Sequence, residues 1–119
     1  MAWNFSSDRP VYIQIAERIT KSVLSGEYIA GAQIPSVRQL AMDAAVNPNT
    51  VQHAFTELEN ERLIISKGTV GRYVTEDTRV IEACREKMAG TLVKSFVENI
   101  TQLSITKEQA IKMIEEVNT

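Results

Sequence analysis

Polar and apolar positions along the chain fall into three helical stripes, two short extended runs and a long helical tail. In the first stripe Tyr12, Ile15, Ala16, Ile19 and Val23 recur at helical spacing behind Asp8, a candidate cap, and Pro10, which suits a first turn. Gly26 offers the left-handed residue that ends a helix, so a helix is predicted over 10–25. Gly31 and Pro35 punctuate the loop that follows, and 32–34 reads as a short strand between them. Ser36, with Gln39 three residues on, forms a capping-box pattern before Val37, Leu40, Ala41 and Ala44, predicting a second helix over 36–44. Ala45 and Val46 make a turn, Asn47 caps a third helix, and Pro48 takes its first position, where a missing N–H costs nothing.

That third helix divides into two faces. Val51, Ala54, Phe55 and Leu58 share one arc, leaving Asn49, Gln52, His53 and Thr56 opposite. A buried helix would carry Leu at those positions and a solvated one Glu or Lys. Uncharged hydrogen-bonding groups instead suggest a face made for contact, although a well-capped surface helix that binds nothing has the same cap. From Leu63 the pattern turns β-branched, through Ile64, Ile65 and Ser66, and returns at Arg72, Tyr73, Val74 and Thr75. Gly68 and Gly71 between the two runs predict a hairpin.

Beyond residue 75, Val80, Ile81, Cys84, Met88, Leu92, Phe96, Ile100 and Leu103 recur mostly every four residues and predict a helix over 78–102, with Gly90 weakening its middle by about 1 kcal/mol and permitting a bend. Thr106 and Gln109 form a second capping box, with Ile105 and Ala110 as a staple, before a last helix over 107–117. The fold class is therefore mostly α with a small β-hairpin, and the chain divides into a head, residues 1–75, and a helical tail, residues 76–119.

Charge first argues against a polyanionic partner, because the chain of 119 residues carries a net charge of −2. The distribution weakens that objection: residues 1–75 hold seven charges of each sign, and the tail supplies the whole acidic excess. Any polyanion binding must come from a local patch. One cysteine, Cys84, and one histidine, His53, leave disulfides, thiolate metal clusters and histidine metal sites poorly supplied, and Cys84 is expected to be a buried thiol. No cofactor and no metal are expected. Paired carboxylates and phosphate-cradling glycines, which an enzyme would need, are equally unconvincing. Trp3 and Phe5 lead at once into Ser6, Ser7, Asp8 and Arg9, unlike a secretion signal, and no apolar run approaches the roughly 18 residues of a membrane span. A cytoplasmic protein is expected.

Two helices joined by a tight turn, the second opening in polar residues, match a helix-turn-helix, whose second helix enters the major groove of DNA by its N-terminal end. Asn and Gln read adenine there, and Ser and Thr reach base edges or phosphate. Glu57, Glu59 and Glu61 fall toward the far end, away from the duplex. The run GEYIAGAQIPSVRQLAMDAAVNPNTVQHAFTELENERLI, followed by KGTVGRYV, resembles the winged helix-turn-helix of the GntR family of bacterial transcription regulators, and the short two-helix tail resembles its YtrA subfamily. The resemblance implies that Ser36 and Arg38 meet phosphate or base edges, that Asn47, Asn49, Thr50, Gln52 and His53 line the groove, and that Lys67 and Gly68 form a wing tip at the minor groove with Arg72 near the backbone. It further implies control of transport genes. Members of the family often carry arginine where this chain has His53; an imidazole, unlike a guanidinium, changes charge near neutrality.

The tail's 44 residues are too few to enclose a ligand pocket of the usual size, about 300 Å³ or more. Its apolar stripe exceeds what the last helix can cover. A second subunit is therefore expected on Met88, Leu92, Phe96 and Ile100, giving a two-fold homodimer on an inverted-repeat operator in double-stranded DNA. A repressor is the expected role. The competing reading is a winged-helix module that binds protein through the same face, and a small-molecule effector between subunits stays open.

Overall fold

The computed structural model describes residues 3–68 and 70–118. Five helices and one hairpin follow in the order α1 (Val11–Leu24), α2 (Val37–Ala44), α3 (Pro48–Asn60), β1 (Ile64–Ser66), β2 (Arg72–Val74), α4 (Thr78–Thr101) and α5 (Lys107–Glu115). They form two compact units, Met1–Cys84 and Arg85–Thr119. The division falls inside α4, because Ile81 and Cys84 still pack against the core of the first unit. Cys84 is half-buried there and not enclosed, which corrects the expectation of a buried thiol.

The core of the first unit is the predicted set of stripes brought face to face. Ile15, Ile19 and Val23 of α1, Leu40 and Ala41 of α2, and Val51, Ala54, Phe55 and Leu58 of α3 are buried together with Leu63, Ile64 and Val74. Phe55 and Leu58 are fully enclosed, so truncating either to Ala is expected to cost about 3 kcal/mol or more. Burying this stripe makes α3 a fixed platform. Thr20, also buried, turns its hydroxyl back to donate to the Ala16 carbonyl at 2.8 Å, which lets a polar side chain sit in an apolar face.

Helix starts follow the local chemistry with two corrections. Ser36 caps α2 by accepting from the Gln39 amide, while the Gln39 side chain donates to Asp43 instead of returning, so the box is half made. Asn47 caps α3 by accepting from the Asn49 amide, with Pro48 at the first position. Thr106 and Gln109 close both halves of their box on α5. Asp8 does not cap α1: Pro10 stands at the cap with no side-chain bond, and Asp8 accepts from the Ser6 hydroxyl instead. Gln14 secures this entry by accepting from Ser6 N–H and donating to the carbonyls of Ser6 and Arg9.

While α1 ends at Gly26 with φ 88°, three other helix ends share a device that needs no glycine. Ala45, Arg62 and Ser104 have φ of 58°, 64° and 60° after α2, α3 and α4. After each, the next amide reaches back five residues, Val46 to Ala41, Leu63 to Leu58 and Ile105 to Ile100, which is the Schellman closure.

Strands β1 and β2 pair antiparallel in the register Ile64 to Val74, Ile65 to Tyr73 and Ser66 to Arg72. The strand expected over 32–34 reduces to one bridge, Gln33 to Tyr73, flanked by the bonds Ile34 N–H to Arg72 O and Val74 N–H to Ala32 O. The loop before α2 thereby lies along the outer side of β2. Of the wing turn, Thr69 lies outside the described residues.

In the second unit α5 buries Ala110, while Leu92, Val93, Leu103, Ile111, Ile114 and Val117 stand exposed. Helix α4 runs through Gly90 without interruption.

Candidate nucleic-acid interface

The polar face of α3 is where the predicted contact residues converge. Asn47, Asn49, Gln52 and His53 are exposed, Thr50 is half-buried, and the buried arc of Val51, Ala54, Phe55 and Leu58 lies behind them. No acidic or basic side chain occupies the first turn, so the helix's own N-terminal partial positive charge is left for an incoming anion. Asn49 and His53, four residues apart, stand on one face one turn from each other.

Two predicted contact residues already have local work. The Asn47 carbonyl oxygen accepts from Asn49 N–H at 2.8 Å, and the Ser36 hydroxyl accepts from Gln39 N–H at 3.1 Å. Both remain exposed.

The basic residues are distributed over three places. Arg38 lies in solvent on the first turn of α2. Lys67 is at the root of the wing turn, its ammonium 4.5 Å from the centre of the Tyr73 ring. Gly68, at φ 60°, gives the turn its left-handed step, and Lys67 N–H closes it onto the Gly71 carbonyl at 3.1 Å. Arg72, expected near a DNA backbone, is half-buried in the free protein. Its guanidinium lies over Phe55, 5.2 Å from the ring centre, and its Nε is 3.8 Å from the Glu59 carboxylate. The far end of α3 thus holds an acid that faces the wing's own arginine.

Three residues whose contacts the sequence did not announce shape this surface. Gln33 donates from Nε2 to the Val70 carbonyl at 2.9 Å and so ties the wing turn to the loop before α2. Glu59 faces Arg72. Tyr12, read as part of an apolar stripe, stacks on His53 with ring centres 3.5 Å apart and planes 7° from parallel. Each contact joins residues remote in sequence, and periodicity carries no signal for it.

Elsewhere in the first unit a cavity of about 180 Å³ is lined by Trp3, Arg18, Ile19, Ser22, Glu27, Tyr28, Leu40 and Asp43, from α1, α2 and their connections and not from α3 or the wing. Arg18 lies over the Trp3 ring at 4.2 Å. Burial, reinforced by the charges of Glu27 and Asp43, pushes the Tyr28 phenol above its usual pKa.

Two helices joined by a three-residue turn, with a hairpin packed after the second, define a winged helix-turn-helix, the architecture of a DNA-binding regulator. Residues 11–74 match the family described as bacterial regulatory proteins, gntR family, and the chain belongs to that family. It is 35% identical over 114 residues to the HTH-type transcriptional repressor YtrA of Bacillus subtilis, covering 94% of this chain and 87% of that one. A GntR family transcriptional regulator from Listeria monocytogenes superposes with a TM-score of 0.88 at 37% identity, covering 96% of this chain and all of the other. YtrA from Sulfolobus acidocaldarius, a GntR-family transcription factor, gives 0.58 at 30% identity over 78% of this chain and 93% of its own. The protein is a YtrA-like transcriptional regulator with a DNA-binding winged helix. Among the described residues no helix is long and apolar enough to cross a membrane.

Proposed function

We propose that this regulator represses transcription in the cytoplasm by occupying an inverted-repeat operator as a homodimer, with the N-terminal half of α3 in the major groove of each half-site. The observation that carries the reading is the two-sidedness of α3: a fully buried apolar arc behind an exposed, uncharged, hydrogen-bonding face whose first turn leaves the helix dipole uncompensated. Ser36, Arg38, Asn47, Asn49, Thr50, Gln52 and His53 supply the groove contacts, and Lys67 and Gly68 the wing contact. Arg72 reaches phosphate by exchanging Glu59 for the backbone. Repression follows from a bound dimer excluding polymerase from the promoter, and the name of the Bacillus subtilis relative supports that sign.

Pairing is carried by the tail. Leu92 is 61% and Phe96 38% exposed, while Met88 and Ile100 lie half-buried on the same helix, an apolar surface that a second copy can cover. A dimer also doubles the phosphate contacts: with two or three per subunit, the log–log salt slope of binding should fall at about −4 to −5.

Selection from random DNA with the full chain, followed by gel shift, tests the reading. An enriched inverted repeat supports it. No enriched motif favours the protein-binding alternative. Light scattering on the wild type and on Phe96→Glu tests the pairing, with a dimer expected for the first and a monomer for the second; a wild type that scatters as single chains at micromolar concentration removes it.

A further inference from the structure

The stack between Tyr12 and His53 joins the first turn of α1 to the groove-facing side of α3. Rings 3.5 Å apart and nearly parallel are in van der Waals contact over a full face. Two ordinary aromatic rings prefer an offset or an edge-on approach, because their like-signed faces repel. Here the two helices packed on one core hold the rings face to face, and dispersion across the full contact supports the stack.

The stack also fixes direction. With one face of His53 covered by Tyr12, the ring cannot swing across the helix, and its nitrogens are confined to a plane set by α1. That wall is firm. Tyr12 packs against the core, Ile15 and Ala16 beyond it are buried, and the helix entry is held by the three bonds of Gln14 to Ser6 and Arg9. Side chains that leave a free helix surface lose rotamer freedom when they dock, and a pre-stacked imidazole has already lost it.

We propose that Tyr12 is a positioning residue for DNA recognition: it holds the His53 ring so that its edge donates to an acceptor on the operator, beside Asn49. The inference rests on the regulator reading above and deepens it. The acceptor is a purine N7 or O6 edge or a phosphate oxygen. These two sources differ in consequence, since loss of a base contact relaxes preference at one base pair and loss of a phosphate contact weakens all sequences alike.

The test uses the full chain, the DNA it selects, and four variants: Tyr12→Phe, Tyr12→Leu, His53→Ala and the Tyr12→Leu/His53→Ala pair. Leu keeps apolar bulk at position 12, so the fold is expected to persist. Tyr12→Phe should bind within about twofold of wild type, while Tyr12→Leu and His53→Ala should each lose roughly tenfold, with the double variant losing no more than either. His53 is the one histidine in the sequence, so its imidazole proton resonances are assigned without ambiguity. In free protein they should be shifted upfield by the Tyr12 ring in wild type and Tyr12→Phe and return in Tyr12→Leu. Losses that multiply in the double variant, or Tyr12→Leu binding as wild type, overturn the positioning role while leaving the regulator reading intact. A wild type that selects no sequence overturns the regulator reading and this role with it, even where the upfield shift is present.

Discussion

Arg72 and Glu59 face each other across the junction of wing and recognition helix, Nε to carboxylate oxygen 3.8 Å, with both side chains mostly withdrawn from solvent. The Arg72 Nε is shielded and makes no hydrogen bond among the described residues, so the pair is an electrostatic contact of loose geometry laid over the Phe55 ring. Such a pair is worth about 1 kcal/mol or less, whereas the arginine stem and plane contribute packing as well. Glu59→Gln should therefore cost the fold less than about 1 kcal/mol, and Arg72→Ala about 1–3 kcal/mol, in urea denaturation. Glu59→Gln also releases a cation beside the wing. Its DNA binding should tighten at an unchanged salt slope, because Arg72 no longer gives up a carboxylate to reach phosphate, and binding as wild type would show that Arg72 does not make that exchange.

The wing turn depends on an approach that admits no side chain. Gly71 stands at φ 125°, and a Cβ there would meet Gln33 Nε2 at 2.8 Å. Gly71→Ala should displace the Gln33 amide, break its bond to the Val70 carbonyl and destabilise by about 1–3 kcal/mol. Gln33→Ala alone should cost about 1 kcal/mol. Because both act on one clamp, the double variant should cost less than the two added together in thermal unfolding.

Ala45 closes the turn between α2 and α3 in a left-handed conformation, φ 58° and ψ 49°. A Cβ is disfavoured there by about 1–2 kcal/mol, and glycine would recover part of it against its own larger entropy loss. Ala45→Gly should raise stability by roughly 0.5–1 kcal/mol and Ala45→Val should lower it, read as opposite shifts in the thermal midpoint.

Asp77, at the start of α4, accepts from the Arg79 side chain and from the Arg79 backbone N–H, and in that order these bonds hold its carboxyl below the usual range. A depressed carboxyl stabilises the fold above the ordinary carboxylate pKa and loses that contribution as pH falls through its lowered value. Asp77→Asn should accordingly melt below wild type at neutral pH, with the gap closing in acid, when midpoints are followed across a pH series.

Helix starts were legible in the sequence because their chemistry is local: Ser36, Asn47 with Pro48, and Thr106 with Gln109 each satisfy an amide two or three residues away. Helix ends were less so. Ala45, Arg62 and Ser104 do the work usually left to glycine, and Asp8 offered a cap that the chain does not use. The buried arc of α3 and its polar complement were visible as periodicity. What that face touches was not, since Tyr12 with His53, Gln33 with Val70 and Glu59 with Arg72 meet only once the core has set the distances between elements.

The second unit buries Ala110 and leaves Leu92, Val93, Ile111 and Ile114 in water, so among its described residues it has a hydrophobic exterior around almost no interior. Such a segment draws little cohesion from itself. In the proposed dimer a second copy would shelter that exterior, and the sheltered fraction would rise with the amount of regulator present and fall on dilution.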